Sequence, residues 1–276
     1  NELGIAVVGH GDLIETQKGE WYMVLLGIRP YQKYIEDYDR YLPRKWIREP
    51  DRNKDAQFNL GREVCMIPMA WDYDNWPIVD NHNGMVNPME RKPVLDMIWC
   101  MRRPVKTPFY TLTERPGYLR LYGNDAKAED TRTQALLVRR QQHNYFEAAV
   151  AMEFEPEQEG EEAGMIVTQN DRYAIMAVKE KLDGELFITA YQIINGRREL
   201  ITRKPAEAGR MYLFIEGSTG QYHLYYGNSE REKKILATDI DGSILSTVVA
   251  DGFVGTYVGM YVSGSGAHAD FDWFRY

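Results

Sequence analysis

Apolar and polar positions alternate in short runs along most of this chain, the period of strands with one buried face. The first run, GHGDLIETQKGEWYMVLLG over residues 9–27, reads as a β-hairpin with Leu13, Ile14, Trp21, Met23, Leu25 and Leu26 on its strands and Gln-Lys-Gly-Glu at its turn. A hairpin alone is marginally stable in water, so these side chains need neighbouring strands to cover them. A second strand pair is predicted over residues 61–71 and 76–79, around the turn Asp72-Tyr73-Asp74-Asn75. Between the pairs, residues 32–58 are polar, rich in Tyr and Arg, and lack a strand period, which suggests a long rim or lid loop. Residues 1–92 therefore offer about four strands, too few to close a domain.

From Leu95 onward strands follow one another steadily, separated by turns of Gly, Asn, Asp and Glu. In NYFEAAVAMEFEP the residues Phe146, Ala148, Val150, Met152 and Phe154 alternate onto one face, which marks that face as core. EAGMIVTQ, RYAIMAVKE, GELFITAYQI, RMYLFIEG, QYHLYYG, TYVGMYV and ADFDWFRY extend the series at the spacing of an antiparallel sandwich. The predicted division is an incomplete sheet structure over 1–92 and a complete sandwich over 93–276.

Composition narrows the function. Hydrophobic residues make up 44% of the 276, enough to fill a sizeable core. Net charge is −8 with no basic block, which disfavours nucleic acid and anionic membranes as partners. Aromatic content of 12% suits strands and also suits surfaces that stack on sugar rings. Cys65 and Cys100 are the only cysteines and have no metal-ligand spacing, so neither a disulfide framework nor a zinc site is indicated. No apolar run reaches membrane length, and the compartment stays undetermined.

Several ordered motifs carry a family resemblance. GHGDLIET with GEWYMVLLGIRPY, NLGRE, ERPGYLRLYG, RRQQHNYFEAAVAMEFEPEQEGEEAGMIVTQND, GFVGTYVGMYVSGSG and ADFDWFRY together resemble the C-terminal half of a glycoside hydrolase family 43 enzyme of the β-xylosidase or α-L-arabinofuranosidase type. The resemblance implies an all-β fold, the last part of a five-bladed β-propeller followed by a concanavalin-A-like antiparallel β-sandwich. It implies inverting hydrolysis by paired carboxylates that lie upstream of GHGD, so that no catalytic residue falls in this chain and this chain alone is inactive. Its partners would be a xylo-oligosaccharide or arabinoside substrate and the earlier propeller segment, and it allows a homo-oligomer.

Three residues match the family's active-site elements. His10 matches a histidine near the propeller axis that organises the site, in some members through a metal. Arg62, in NLGRE, matches an arginine that reaches the innermost sugar, where its five-donor fork can hold two hydroxyls. Phe253, in DGFVG, matches a loop phenylalanine of the sandwich that leans into the propeller pocket. No cofactor is required, although Asp272 resembles a position that binds a structural calcium in some such sandwiches. The acidic run at Glu153, Glu155, Glu157, Glu159, Glu161 and Glu162 reads as a solvated strand end and turn. The sequence departs from the pattern in GREVCMIPMAW and in the longer stretch 32–58, whose aromatics could alter the rim. Two readings compete: part of an exo-acting hydrolase releasing xylose or arabinofuranose, and a non-catalytic carbohydrate-binding or interaction module.

Overall fold

The computed structural model describes residues 6–17, 19–28, 61–71, 74, 76–79, 98–105 and 108–276. The first hairpin joins β1 (Ala6–Glu15) to β2 (Trp21–Ile28). Its turn is closed by Gly19 N–H donating to the Thr16 carbonyl at 2.9 Å, with Gly19 at φ 77°. β3 (Arg62–Trp71) pairs with β2, and β4 (Pro77–Val79) completes a four-stranded antiparallel sheet in the order β1-β2-β3-β4. The register sets Met23 opposite Ile67 and Leu25 opposite Cys65, and these four form the sheet's apolar cluster. Met69 is buried as well, but Ile14, Val64, Trp71 and Trp76 are exposed. The four predicted strands are present, and the stretch 32–58 lies outside the described residues.

The rest of the described chain is a sandwich of two seven-stranded antiparallel sheets. One contains β5 (Trp99–Cys100), β8 (Ala135–Arg140), β10 (Glu162–Asn170), β11 (Tyr173–Leu182), β12 (Glu185–Ile194), β13 (Arg197–Pro205) and β17 (Tyr257–Ser263). The other contains β6 (Tyr110–Thr111), β7 (Leu119–Tyr122), β9 (Phe146–Glu153), β14 (Arg210–Ser218), β15 (Gln221–Gly227), β16 (Lys234–Asp241) and β18 (His268–Arg275). Three connections are two-residue turns with both residues at positive φ, Asp183-Gly184, Asn195-Gly196 and Thr219-Gly220. Such turns match the strand twist, so they fix the register of β11–β12, β12–β13 and β14–β15. β17 lies between β8 and β10, and β18 between β7 and β9.

The alternation read in β9 is realised: Ala148, Val150 and Met152 face the inter-sheet core, joined by Phe154 just beyond the strand. A second apolar layer lies on the other side of the first sheet, where Leu136, Val138, Ile166, Met176 and Tyr261 cluster with Ala128 and with Tyr191 and Tyr257 packed against them. This explains why β10 and β11 are buried on both faces.

The acidic run is solvated only in its middle: Glu155, Glu157 and Glu159 are exposed as its composition suggests, while its C-terminal end is buried. Glu162 is buried, accepts from Arg198 Nη1 at 2.7 Å and from the Tyr261 hydroxyl at 2.7 Å, and lies 3.3 Å from Lys127 Nζ. Glu161 is also buried and accepts the backbone N–H groups of Glu157 and Gln158. Glu153 pairs with Arg115 at 2.7 Å. Glu162 is buried because its partners Arg198 and Tyr261 arrive from distant strands, whereas Glu161 is held by amides of its own turn.

Glu155 takes the ammonium of Lys179 at 3.0 Å; the lysine side chain is fully buried while Glu155 is half exposed. Removing Lys179 leaves Glu155 free to hydrate, so the usual penalty for stranding a buried charge does not arise. Lys179→Met is expected to change stability by less than about 1 kcal/mol, read by urea denaturation.

Candidate functional site

The four-stranded sheet and the sandwich meet through main chain. Gly61, at φ 63°, forms an antiparallel bridge with Val254. A Cβ on Gly61 would lie 2.2 Å from Gly255 N and 2.6 Å from the Val254 carbonyl carbon, so only glycine admits this approach. The next residue, Arg62, donates its N–H to the Phe253 carbonyl at 3.2 Å, and its own carbonyl accepts Arg140 Nη2 at 3.1 Å. This pairing brings the guanidinium of Arg62 to 4.4 Å from the centroid of the Phe253 ring. Phe253 is 68% exposed, an unusual state for an aromatic of its size, and the arginine covers part of its face. Two residues singled out from opposite ends of the sequence are thus in contact.

The Phe253 loop is held in a strained shape. It follows a single helical turn, α1 (Thr247–Ala250), whose N-cap Ser246 accepts the Val248 N–H. Asp251 then adopts φ 64°, ψ 172°, a region that is essentially reserved for glycine and costs about 1–3 kcal/mol. Gln169 Nε2 donates to the carbonyls of Asp251 and Val254, each at 3.0 Å, and Asn170 Nδ2 donates to the Ala250 carbonyl at 3.2 Å. Beside the loop lies a cleft of about 320 Å³ whose walls include Val254, Tyr257, Gln169, Arg102 and Asp171. Arg102 reaches across to Thr168 Oγ1 at 2.6 Å, and burial pulls its guanidinium below its ordinary value.

His10 lies on β1, an edge strand of its sheet among the described residues, at φ 53° and inside the register shift between Gly9 and Asp12. Such bulges re-aim side chains, and that of His10 is exposed. It stands two strands away from β3, roughly 10 Å at the usual strand spacing, so it does not join the Arg62–Phe253 contact.

Asp272, which the resemblance matches to a structural calcium position, has its carboxylate paired with Arg210. The neighbouring Asp270 is the more buried acid and accepts from Arg120 Nε at 2.7 Å and Arg115 Nη1 at 2.9 Å. Burial alone would raise its pKa, but the two guanidiniums outweigh it and hold Asp270 below the usual carboxylate range. Among the described residues no group of three or more His, Cys, Asp or Glu side chains could hold a metal ion. Cys65 is buried and Cys100 exposed, and neither is in a disulfide among the described residues.

The family described as the β-xylosidase C-terminal concanavalin A-like domain matches residues 91–276. The chain belongs to this family. Relatives of this concanavalin A-like family match through the four-stranded sheet as well. A non-reducing end α-L-arabinofuranosidase of Bacteroides ovatus is 27% identical over 98% of this chain and 51% of its own length. A β-xylosidase of Bacillus subtilis is 26% identical over 97% of this chain and 53% of its own. The crystal structure of a GH43 protein of Bacillus licheniformis superposes with a TM-score of 0.82 at 28% identity, covering 99% of this chain and 54% of that one. The chain spans about half the length of the curated relatives it matches. The fold is all-β as expected, the last part of a five-bladed propeller followed by a concanavalin-A-like sandwich. Within it, Gln169, Asn170 and Arg140 hold the Phe253 loop and Arg62, and nothing in their local sequence marks them for that role.

Proposed function

We propose that this chain is the C-terminal portion of an inverting, exo-acting glycoside hydrolase that removes xylose or arabinofuranose from xylo-oligosaccharides or related hemicellulose fragments. The observation that carries this is the Arg62–Phe253 contact, in which the sheet supplies a fork of donors and the sandwich an exposed aromatic wall. A guanidinium holds paired sugar hydroxyls, and an apolar ring limits how far a chain of sugars extends. The carboxylates of inverting hydrolysis stand about 6.5–9.5 Å apart to admit water, and we place them on propeller sequence upstream of His10. His10, on the edge strand, organises the centre of that site. The named activities of the relatives support this substrate class. A binding module is disfavoured because the likeness takes in the four-stranded sheet, which a sandwich lectin does not need.

The test is Arg62→Ala in the enzyme that contains this chain, assayed on nitrophenyl β-D-xylopyranoside and α-L-arabinofuranoside. Hydrogen bonds to a charged group contribute about 1.5–3 kcal/mol, so kcat/KM is expected to fall roughly 10- to 150-fold with Tm unchanged. Unchanged turnover on both substrates would overturn the assignment.

A further inference from the structure

We propose that Gln169 is a positioning residue that sets the Phe253 ring against the sugar site, and so governs substrate affinity rather than bond cleavage. This rests on the reading of Arg62 and Phe253 given above. One nitrogen, Gln169 Nε2, is donor to two carbonyls, those of Asp251 and Val254, each at 3.0 Å. The two carbonyls flank Gly252 and Phe253, so a single amide fixes the span of the segment that carries the ring. Asn170, the next residue, holds the Ala250 carbonyl just before it.

The chemistry of that amide is specific. Gln169 is 8% exposed, and its Oε1 is buried without a hydrogen-bond partner among the described residues. A buried acceptor left unpaired is costly, and rotating the amide would be worse, because Oε1 would then face both carbonyls. The side chain is therefore placed for its two N–H donors, and its oxygen is sacrificed. The segment it holds needs such restraint. Asp251 sits in a backbone region that persists only where surrounding contacts over-determine it. Phe253 and Val254 are exposed, and Val254 lines the cleft, so packing alone does not locate the ring. Hydrogen bonds from β10 do.

Two near-isosteric variants separate this role from a general effect on folding. Gln169→Met removes both donors, and Gln169→Glu replaces them with acceptors facing two carbonyls. In this chain, amide hydrogen exchange of residues 250–256 is expected to quicken at least tenfold in both, with exchange in β11 and β12 unchanged. In the enzyme that contains the chain, KM for nitrophenyl xyloside is expected to rise about tenfold, with kcat within twofold. Phe253→Ala, measured alongside, should raise KM at least as much. Unchanged exchange over 250–256 overturns the clamp whatever the kinetics. A raised KM in Phe253→Ala without one in Gln169→Met overturns the link to affinity and leaves the site reading standing. Quickened exchange with no kinetic change in any of the three variants overturns the site reading and leaves the clamp standing.

Discussion

Arg198→Met is expected to destabilise the sandwich by about 3–5 kcal/mol, the cost of removing one partner from a buried ion pair. The guanidinium bonds Glu162 at 2.7 and 3.0 Å and Glu129 at 2.8 Å. Glu162 has a side chain only 2% exposed, so without Arg198 it keeps Lys127 and Tyr261 but loses its two best donors. The reverse deletion is milder, because Arg198 retains Glu129. Glu162→Gln should therefore cost less than Arg198→Met, and the double replacement Arg198→Met with Glu162→Leu should recover much of the loss. Guanidinium denaturation of the three variants reads this order directly. The same network makes the fold acid-sensitive. Burial alone would raise the pKa of Glu162, but Arg198, Lys127 and Tyr261 outweigh it, and the folded pKa is lowered. Its contribution is full above the unfolded carboxylate value and is lost as pH falls through the lower folded one. In Arg198→Met the largest lowering influence on Glu162 is gone and burial raises its pKa, so the cost of the substitution should shrink as pH falls and Glu162 protonates.

Gly61→Ala is expected to separate the four-stranded sheet from the Phe253 loop. The added carbon would meet main chain at 2.2 Å, and no side-chain adjustment relieves that. Two interactions are lost together: the bridge to Val254, made by the Arg62 N–H bond to the Phe253 carbonyl, and the cation–ring contact. A backbone hydrogen bond contributes about 1 kcal/mol, an exposed cation–ring pair about 0.5–1, and a positive φ costs a residue other than glycine about 1–2. The sum, roughly 3 kcal/mol, corresponds to about a hundredfold in kcat/KM if the junction forms the site. Exchange of residues 251–255 should quicken, while the inter-sheet core of the sandwich keeps its protection. A substituted enzyme with wild-type activity would show that the junction does not shape catalysis.

Local patterning made most of the strands legible. The Asp-Gly and Asn-Gly turns and the alternation of β9 carry their geometry within a few residues, and backbone preferences decide them. The acidic run shows where such reading stops. Nothing beside Glu162 distinguishes it from Glu159, since its partners Arg198 and Tyr261 lie 36 and 99 residues away. Asp270 and Asp272 present the same difficulty, because two arginines of another strand and loop decide which acid is buried. Arg62 and Phe253 were visible only through family motifs. Gln169 left no signal, for its role depends on a loop brought to it by β17, and the stretch 32–58 lies outside the described residues.

The order of the strands has a consequence for biosynthesis. β17 and β18, the last two strands in chain order, are inserted into the middle of their sheets rather than added at an edge. Until they emerge, β8 cannot be joined to β10, nor β7 to β9, and the facing edges of all four lie open to pairing with other nascent chains. The sandwich therefore behaves as an arch whose keystones are set late: both strands must be made before the fold can bear its own weight.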